Sequence, residues 1–320
     1  MSILLSLGKV VSLPAVVVGW RPGRRVPGRL PFRKVLRRPQ FWFGLAVLLP
    51  SLAWFGYVAF WPIVRGLWLS LDHYQPVNPS MSRFAGFSNF NLLFTDPTFW
   101  TAVKNTLEYA FLVYAVSIPL GLLLAWAITT VKRGSRVYPF IVFLPPVVSL
   151  VAVSLLFRML MDPQSGVFNE MLRALHLPTS QWIFGPGSAL YSVVLVAVWQ
   201  GVGISVLLFA AAMIAVSGSL YEAARVDGAN TWQLFRHVTV PGIKPTITLV
   251  SVLTLIGGLQ VYATPVVLGP GPGNSTLMLN QFIVEQFQSF NLGLACAAAV
   301  CLFAMVLLLT LIQLRILRRG

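Results

Sequence analysis

Residues 222–245, EAARVDGANTWQLFRHVTVPGIKP, gather Glu222, Arg225, Asp227, Arg236 and Lys244 between two long apolar segments. Folding within a membrane gives no reason to keep such charges together. Gripping a soluble partner through ion pairs does. Other chemistries lack their residues. His73, His176 and His237 are scattered, with no HExxH pattern or cysteine cluster, and read as structural or solvated. Cys296 and Cys301 are five apart in one apolar run and do not face each other on a helix, so neither a disulfide nor a metal site is expected. No G-x-x-x-x-G-K-[ST] occurs, so the chain has no phosphate cradle and is not expected to hydrolyse ATP. Gly269-Pro270-Gly271-Pro272-Gly273-Asn274 is glycine-rich, but its prolines lack the N–H groups a cradle needs, and it reads as a turn. No catalytic set emerges.

The elements that must carry this island span a membrane. The chain of 320 residues is 57% hydrophobic and 10% charged, with a mean hydropathy of +0.79. Soluble domains carry roughly a quarter charged residues. A helix needs about 20 apolar residues to cross a hydrocarbon core of about 30 Å. Six segments without Asp, Glu, Lys or Arg qualify: Phe41–Val64, Tyr109–Val131, Val137–Phe157, Ala189–Val216, Thr246–Leu268 and Gln286–Leu314. The last exceeds the need, so its start reads as a loop or the helix tilts. The expected fold is an all-α integral membrane protein of six transmembrane helices.

The formal charge of +15 does not point to nucleic acid, because the basic residues sit at the ends of apolar runs. With a cytoplasmic N-terminus, 18 of the 23 basic residues fall inside, leaving Arg65, Arg83, Lys104, Arg158 and Arg173 outside. This asymmetry places both termini and the island 217–245 in the cytoplasm. Residues 1–40 form a basic N-terminal segment. Within it Ile3–Trp20 reads as an extra apolar helix, an interfacial helix or a tail, and the following basic run suits anionic lipid. Outside, Asp162–Leu177 predicts a short amphipathic helix with Val167, Met171, Leu172 and Leu175 on one face.

The island itself predicts helix–turn–helix. Ser217-Gly218-Ser219 caps Leu220–Val226, Asp227-Gly228 turns, and Thr231 caps Trp232–Val238. Pro241 and Pro245 stop that helix and start the next span. Leu220, Tyr221, Ala224, Phe235 and Val238 offer an apolar face, and Ala223 and Ala224 allow close approach. Within spans, polar groups are costly and invite a functional reading. Gln200 and Gln260 are the main ones, and the residues leave open whether they meet cargo or a neighbouring helix.

Glu222-Ala223-Ala224, Asp227-Gly228-Ala229, Phe235, Val238-Thr239-Val240-Pro241 and Pro245 resemble the EAA loop of permease subunits of binding-protein-dependent ABC sugar importers, of the maltose-transport type. Val238 and Val240 replace the usual Ile and Leu. Phe84-x-Gly86-Phe87-x-Asn89-Phe90, Phe94-x-Asp96-Pro97-x-Phe99-Trp100 and Asn105-Thr106 are similar to the family's outer loop. Gly269–Thr276, Phe290–Leu294 and Leu311–Arg319 are similar to its closing pattern. The likeness spans residues 40–320 and fits the maltose-F or glycerol-phosphate-A type. It implies the type I ABC importer permease fold in a bacterial or archaeal cytoplasmic membrane. It implies a second EAA-motif permease, two ATP-binding subunits that hold ATP and Mg, a substrate-binding protein, and a carbohydrate cargo such as an oligosaccharide or disaccharide. A polyol or glycerol-phosphate diester remains an alternative. By the same likeness Trp199, Gln200, Gly201, Ile204, Leu253, Ile256, Gly257 and Gln260 fall at or beside the cargo-lining positions. Several are apolar where the maltose type has aromatic or amide groups. Rival readings are a secondary transporter or channel, which calls for buried charges or a repeated half, and a membrane-embedded enzyme, which calls for a His, Asp or Ser constellation.

Overall fold

A computed structural model describes residues 39–74, 80, 82–130 and 138–319. The basic N-terminal run and the apolar stretch 3–20 lie outside the described residues, as does the short basic connection 132–136. About four fifths of the described residues are helical. The first crossing is α1 (Trp42–Ser70). After it come the two-residue strands β1 (Asp72–His73) and β2 (Arg83–Phe84), paired antiparallel, a small exception to the expected all-helical chain. Next are α2 (Ser88–Thr95) and α3 (Pro97–Thr130), then α4 (Tyr138–Val147), α5 (Leu150–Leu160) and α6 (Val167–Ala174). The chain continues through α7 (Ala189–Ala215), α8 (Gly218–Val226) and α9 (Thr231–Gly242). It ends with α10 (Lys244–Leu259), α11 (Ala263–Leu268), α12 (Leu279–Gln288) and α13 (Leu292–Arg319).

Among the described residues four helices, α1, α3, α7 and α13, are long and apolar enough to cross a membrane. Two bent pairs bring the total to six if each is one crossing. The turn between α4 and α5 is 101°, and that between α9 and α10 is 73°. The third crossing is therefore broken rather than continuous, because Pro145 and Pro146 remove two successive donors. The fifth is shorter than expected. α10 ends at Leu259, and Gln260 to Tyr262 separate it from α11. The long sixth segment resolves into α12, a turn and α13, as one of its two readings anticipated.

Prolines also explain two wide turns. Residues 56–60 and 235–239 are π-helical, each ending two residues before a proline, Pro62 and Pro241. The residue before each proline donates five back, Trp61 to Gly56 and Val240 to Phe235. The carbonyls of Val58 and His237, four residues before a proline that cannot donate, fall at the centres of these turns. Pro241 therefore lies inside a widened helix and does not stop it. The helix ends at Gly242.

Contacts divide the described residues into two units, with the boundary inside α1 between Pro62 and Ile63. Within the larger unit α7 is central, with 56% of its apolar window buried. Its apolar residues surround it on all sides, as a fully packed helix requires. Small residues set the spacing. A Cβ on Gly203 would stand 2.3 Å from the Val142 carbonyl of α4, and one on Gly258 3.0 Å from Ala110 Cα of α3.

Buried amides tie the loops at the ends. Asn89 donates to the Ser70 and Asp72 carbonyls at 2.9 and 3.0 Å. Asn105 donates to Asn274 and Leu277 carbonyls at 2.9 and 3.1 Å, and Thr106 Oγ1 accepts from the Leu279 N–H at 2.8 Å. The two stretches that resemble one family's outer loop and closing pattern thus meet. The glycine-rich segment near them is a turn, with Gly269, Gly273 and Asn274 at positive φ. Asn169 of α6 satisfies its whole amide, donating to Pro163 and Ser180 carbonyls and accepting from Ser180 N–H and Trp182 Nε1. Nearby, backbone and hydroxyl donors of Ser165 and the N–H of Gln164 hold the Asp162 carboxyl below its usual range. The anticipated apolar face of α6 is mostly not the packed one. Val167, Met171 and Leu175 are exposed, while Phe168 packs on Phe157 and Trp182 beside buried Asn169.

Candidate functional site: a polar hairpin and a cavity between spans

The charged island folds as a hairpin of α8 and α9 whose turn is specified residue by residue. Ala229 N–H donates to the Ala224 carbonyl at 2.9 Å and Gly228 N–H to that of Arg225 at 3.0 Å. This is a Schellman ending, and it needs the left-handed φ of +82° that Gly228 adopts. The next helix is started by Asn230, not Thr231. Asn230 Oδ1 accepts from Gln233 N–H at 2.9 Å while Gln233 Oε1 accepts from Asn230 N–H at 2.7 Å. A reciprocal capping box satisfies two otherwise free donors, which the Thr231 hydroxyl alone does not do. Ser217 precedes α8 without a side-chain cap bond. Its hydroxyl pairs with that of Ser219 at 2.7 Å.

One side of the hairpin is locked to the bundle. Phe235 is buried, its ring 4.9 Å from Trp126 of α3 and 5.3 Å from Trp232. Tyr221 Oη and Thr239 Oγ1, 3.0 Å apart, join α8 to α9. The five residues expected to share one apolar face are therefore divided. Phe235 and Tyr221 serve the fold. The exposed apolar residues of α8 are Leu220 and Val226, the latter 88% accessible, with Ala223 between them at i+3 spacing. Val226 was legible as the next position of that stripe. Glu222, Arg225, Asp227 and Arg236 are exposed, and the ion pair found among the described residues joins Arg173 and Glu170, far from them in sequence.

A cavity of about 650 Å³ lies where the hairpin meets the ends of α3 and α7, bordered by Trp126, Thr130, Tyr221, Arg225 and Asn230. A second, of about 350 Å³, lies between α3, α7 and α10. Four of the eight sequence-proposed pathway residues line it together: Gly201, Ile204, Leu253 and Gly257. Sequence reasoning missed its hydroxyl-bearing residues, Tyr109, Ser117, Ser205 and Thr254. Their signal was present: Ser205 lies four residues after Gly201, and Ser117 eight after Tyr109, so each pair shares a helix face. Trp199 instead packs on Phe157, with ring centres 5.2 Å apart. Gln200 is buried and donates to the Val148 carbonyl at 3.3 Å. Ile256 is half-buried. Gln260 ends α10, its carbonyl accepting from Asn280 at 2.9 Å.

Residues 86–319 match the family described as binding-protein-dependent transport system inner membrane component. The chain belongs to this family. Among relatives, the arabinooligosaccharides transport system permease protein AraP of Bacillus subtilis (strain 168) is 32% identical over 248 residues, covering 76% of this chain and 79% of that one. The sn-glycerol-3-phosphate transport system permease protein UgpA of Yersinia pseudotuberculosis serotype I (strain IP32953) is 33% identical over 290 residues, covering 88% and 97%. A crystal structure of a bacterial ABC transporter involved in the import of the acidic polysaccharide alginate contains a chain of the same fold. It has a TM-score of 0.78 and 29% identity, covering 88% of this chain and 96% of that one. This binding-protein-dependent transport component is thus a multi-pass membrane permease with an ABC importer fold.

Proposed function

We propose that this permease forms half of the translocation pathway of an ATP-driven carbohydrate importer in a bacterial or archaeal cytoplasmic membrane. A second EAA-type permease supplies the other half. Two separate subunits bind ATP and Mg, and a binding protein delivers cargo from the opposite side. The hairpin carries this reading: its inner face is fastened to α3 through Phe235 and Trp126, and its outer face presents Glu222 among Leu220, Ala223 and Val226. A rigidly mounted element with a charged, apolar-flanked outer face suits docking into a motor subunit. Movement of the motor then passes to the spans as rigid-body rocking. Arabinooligosaccharide and alginate relatives support a saccharide cargo.

The cavity lining favours an uncharged cargo. The hydroxyl-bearing residues Tyr109, Ser117, Ser205 and Thr254 stand among apolar ones in its lining, and among the described residues no charged one borders it. Hydroxyl groups and apolar walls complement a neutral sugar ring, whereas an anion in lipid needs a cation beside it. The docking role is checked by purifying the chain with its ATPase from cells carrying Glu222→Lys. The expected result is loss of the co-purifying ATPase with the permease still inserted in the membrane. Normal assembly and normal transport in that variant would sink the docking role.

A further inference from the structure

A break in a membrane-crossing helix leaves backbone groups that lipid cannot satisfy. The third crossing breaks at Val148 and Ser149, between Pro145-Pro146 and α5. Val148 N–H has a local acceptor in the Pro145 carbonyl at 3.3 Å, and Ser149 makes no side-chain cap bond at the start of α5. The Val148 carbonyl is met from across the bundle by Gln200 Nε2 of α7, at 3.3 Å and 52 residues away in sequence. Gln200 is 8% exposed. Its Oε1 is buried with no hydrogen-bond partner among the described residues. The amide therefore spends its donor on the break and leaves its acceptor idle. Gly203, three residues further along α7, permits the close packing that makes this reach possible, since a Cβ there would lie 2.8 Å from Pro146 Cγ. Gly201 and Ile204 border the cavity between α3, α7 and α10, and Gln200 does not.

We propose that Gln200 is a positioning residue: its side-chain amide pins the break of the third crossing through the Val148 carbonyl and does not contact the cargo. The transport readout below rests on the importer reading. The first readout needs neither cargo nor ATP, so the two can fail separately.

The test places a single cysteine at exposed Ser149, in full-length chain with Cys296→Ala and Cys301→Ala, in proteoliposomes. Its reaction rate with a small methanethiosulfonate is measured without cargo or nucleotide. Gln200→Met keeps the side-chain length but cannot donate. Losing a buried hydrogen bond shifts a conformational equilibrium by about tenfold, so a rate change of that order is expected. In the assembled importer, kcat for transport falls while KM for the cargo-loaded binding protein stays unchanged. Gln200→Glu restores both readouts at low pH, where the protonated carboxyl donates, and loses both as pH rises and the proton leaves. An unchanged Ser149→Cys rate in folded Gln200→Met, or an effect confined to KM, overturns the proposal. If Gln200→Met does not assemble, the pH profile of Gln200→Glu decides, and a flat profile overturns it.

Discussion

Glycine 228 is where backbone chemistry constrains the hairpin most tightly. At φ +82° any side chain meets the following carbonyl, at a cost of about 1–2 kcal/mol for a left-handed residue. Gly228→Val is therefore expected to loosen the turn without unfolding the bundle, seen as faster protease cleavage between α8 and α9 at an unchanged unfolding temperature of the spans. Equal protection in the variant would show that the Schellman bonds are dispensable. The D-G-A sequence made the turn legible, because only glycine serves that position freely. Asn230 was harder to read. Its helix-starting role depends on Gln233 reaching back, and a neighbouring Thr231 offers a similar signal in one dimension.

At the scale of elements, the hairpin is held by rings rather than charges. Phe235 joins Trp126 and Trp232 in one aromatic group. Phe235→Ala removes a buried ring, a loss of about 3–5 kcal/mol in a packed core. The expected outcome is a hairpin detached from α3: the purified complex hydrolyses ATP but no longer transports. Coupled transport at the wild-type rate would argue that the fastening lies elsewhere. Helix existence in α3, α7 and α13 was readable because about 20 uncharged residues in lipid leave no alternative to a helix. Which side each helix turns inward was not. α7 is apolar all round, so its periodicity carries no direction, and of its four proposed pathway residues Trp199 and Gln200 do not line the cavity.

At the scale of the whole molecule, charge distribution bears on cargo. The cavity between α3, α7 and α10 is lined by hydroxyl-bearing and apolar residues. In reconstituted importer, neutral di- and oligosaccharides are expected to stimulate ATP hydrolysis with the binding protein, and uronic-acid oligomers or glycerol-phosphate diesters are not. Equal stimulation by both classes would place a cation in the pathway from the partner permease and remove the preference. The sequence alone determined that this chain crosses a membrane repeatedly and carries a polar hairpin between its fourth and fifth crossings, since those follow from local composition, caps and the demand of lipid for satisfied backbone. Tertiary structure decided the rest. Phe235 turned inward, Gln200 reached a broken helix, and four hydroxyl-bearing residues came together around a cavity, because in an apolar solvent hydrophobicity no longer tells a helix which face to bury and only packing against neighbours does.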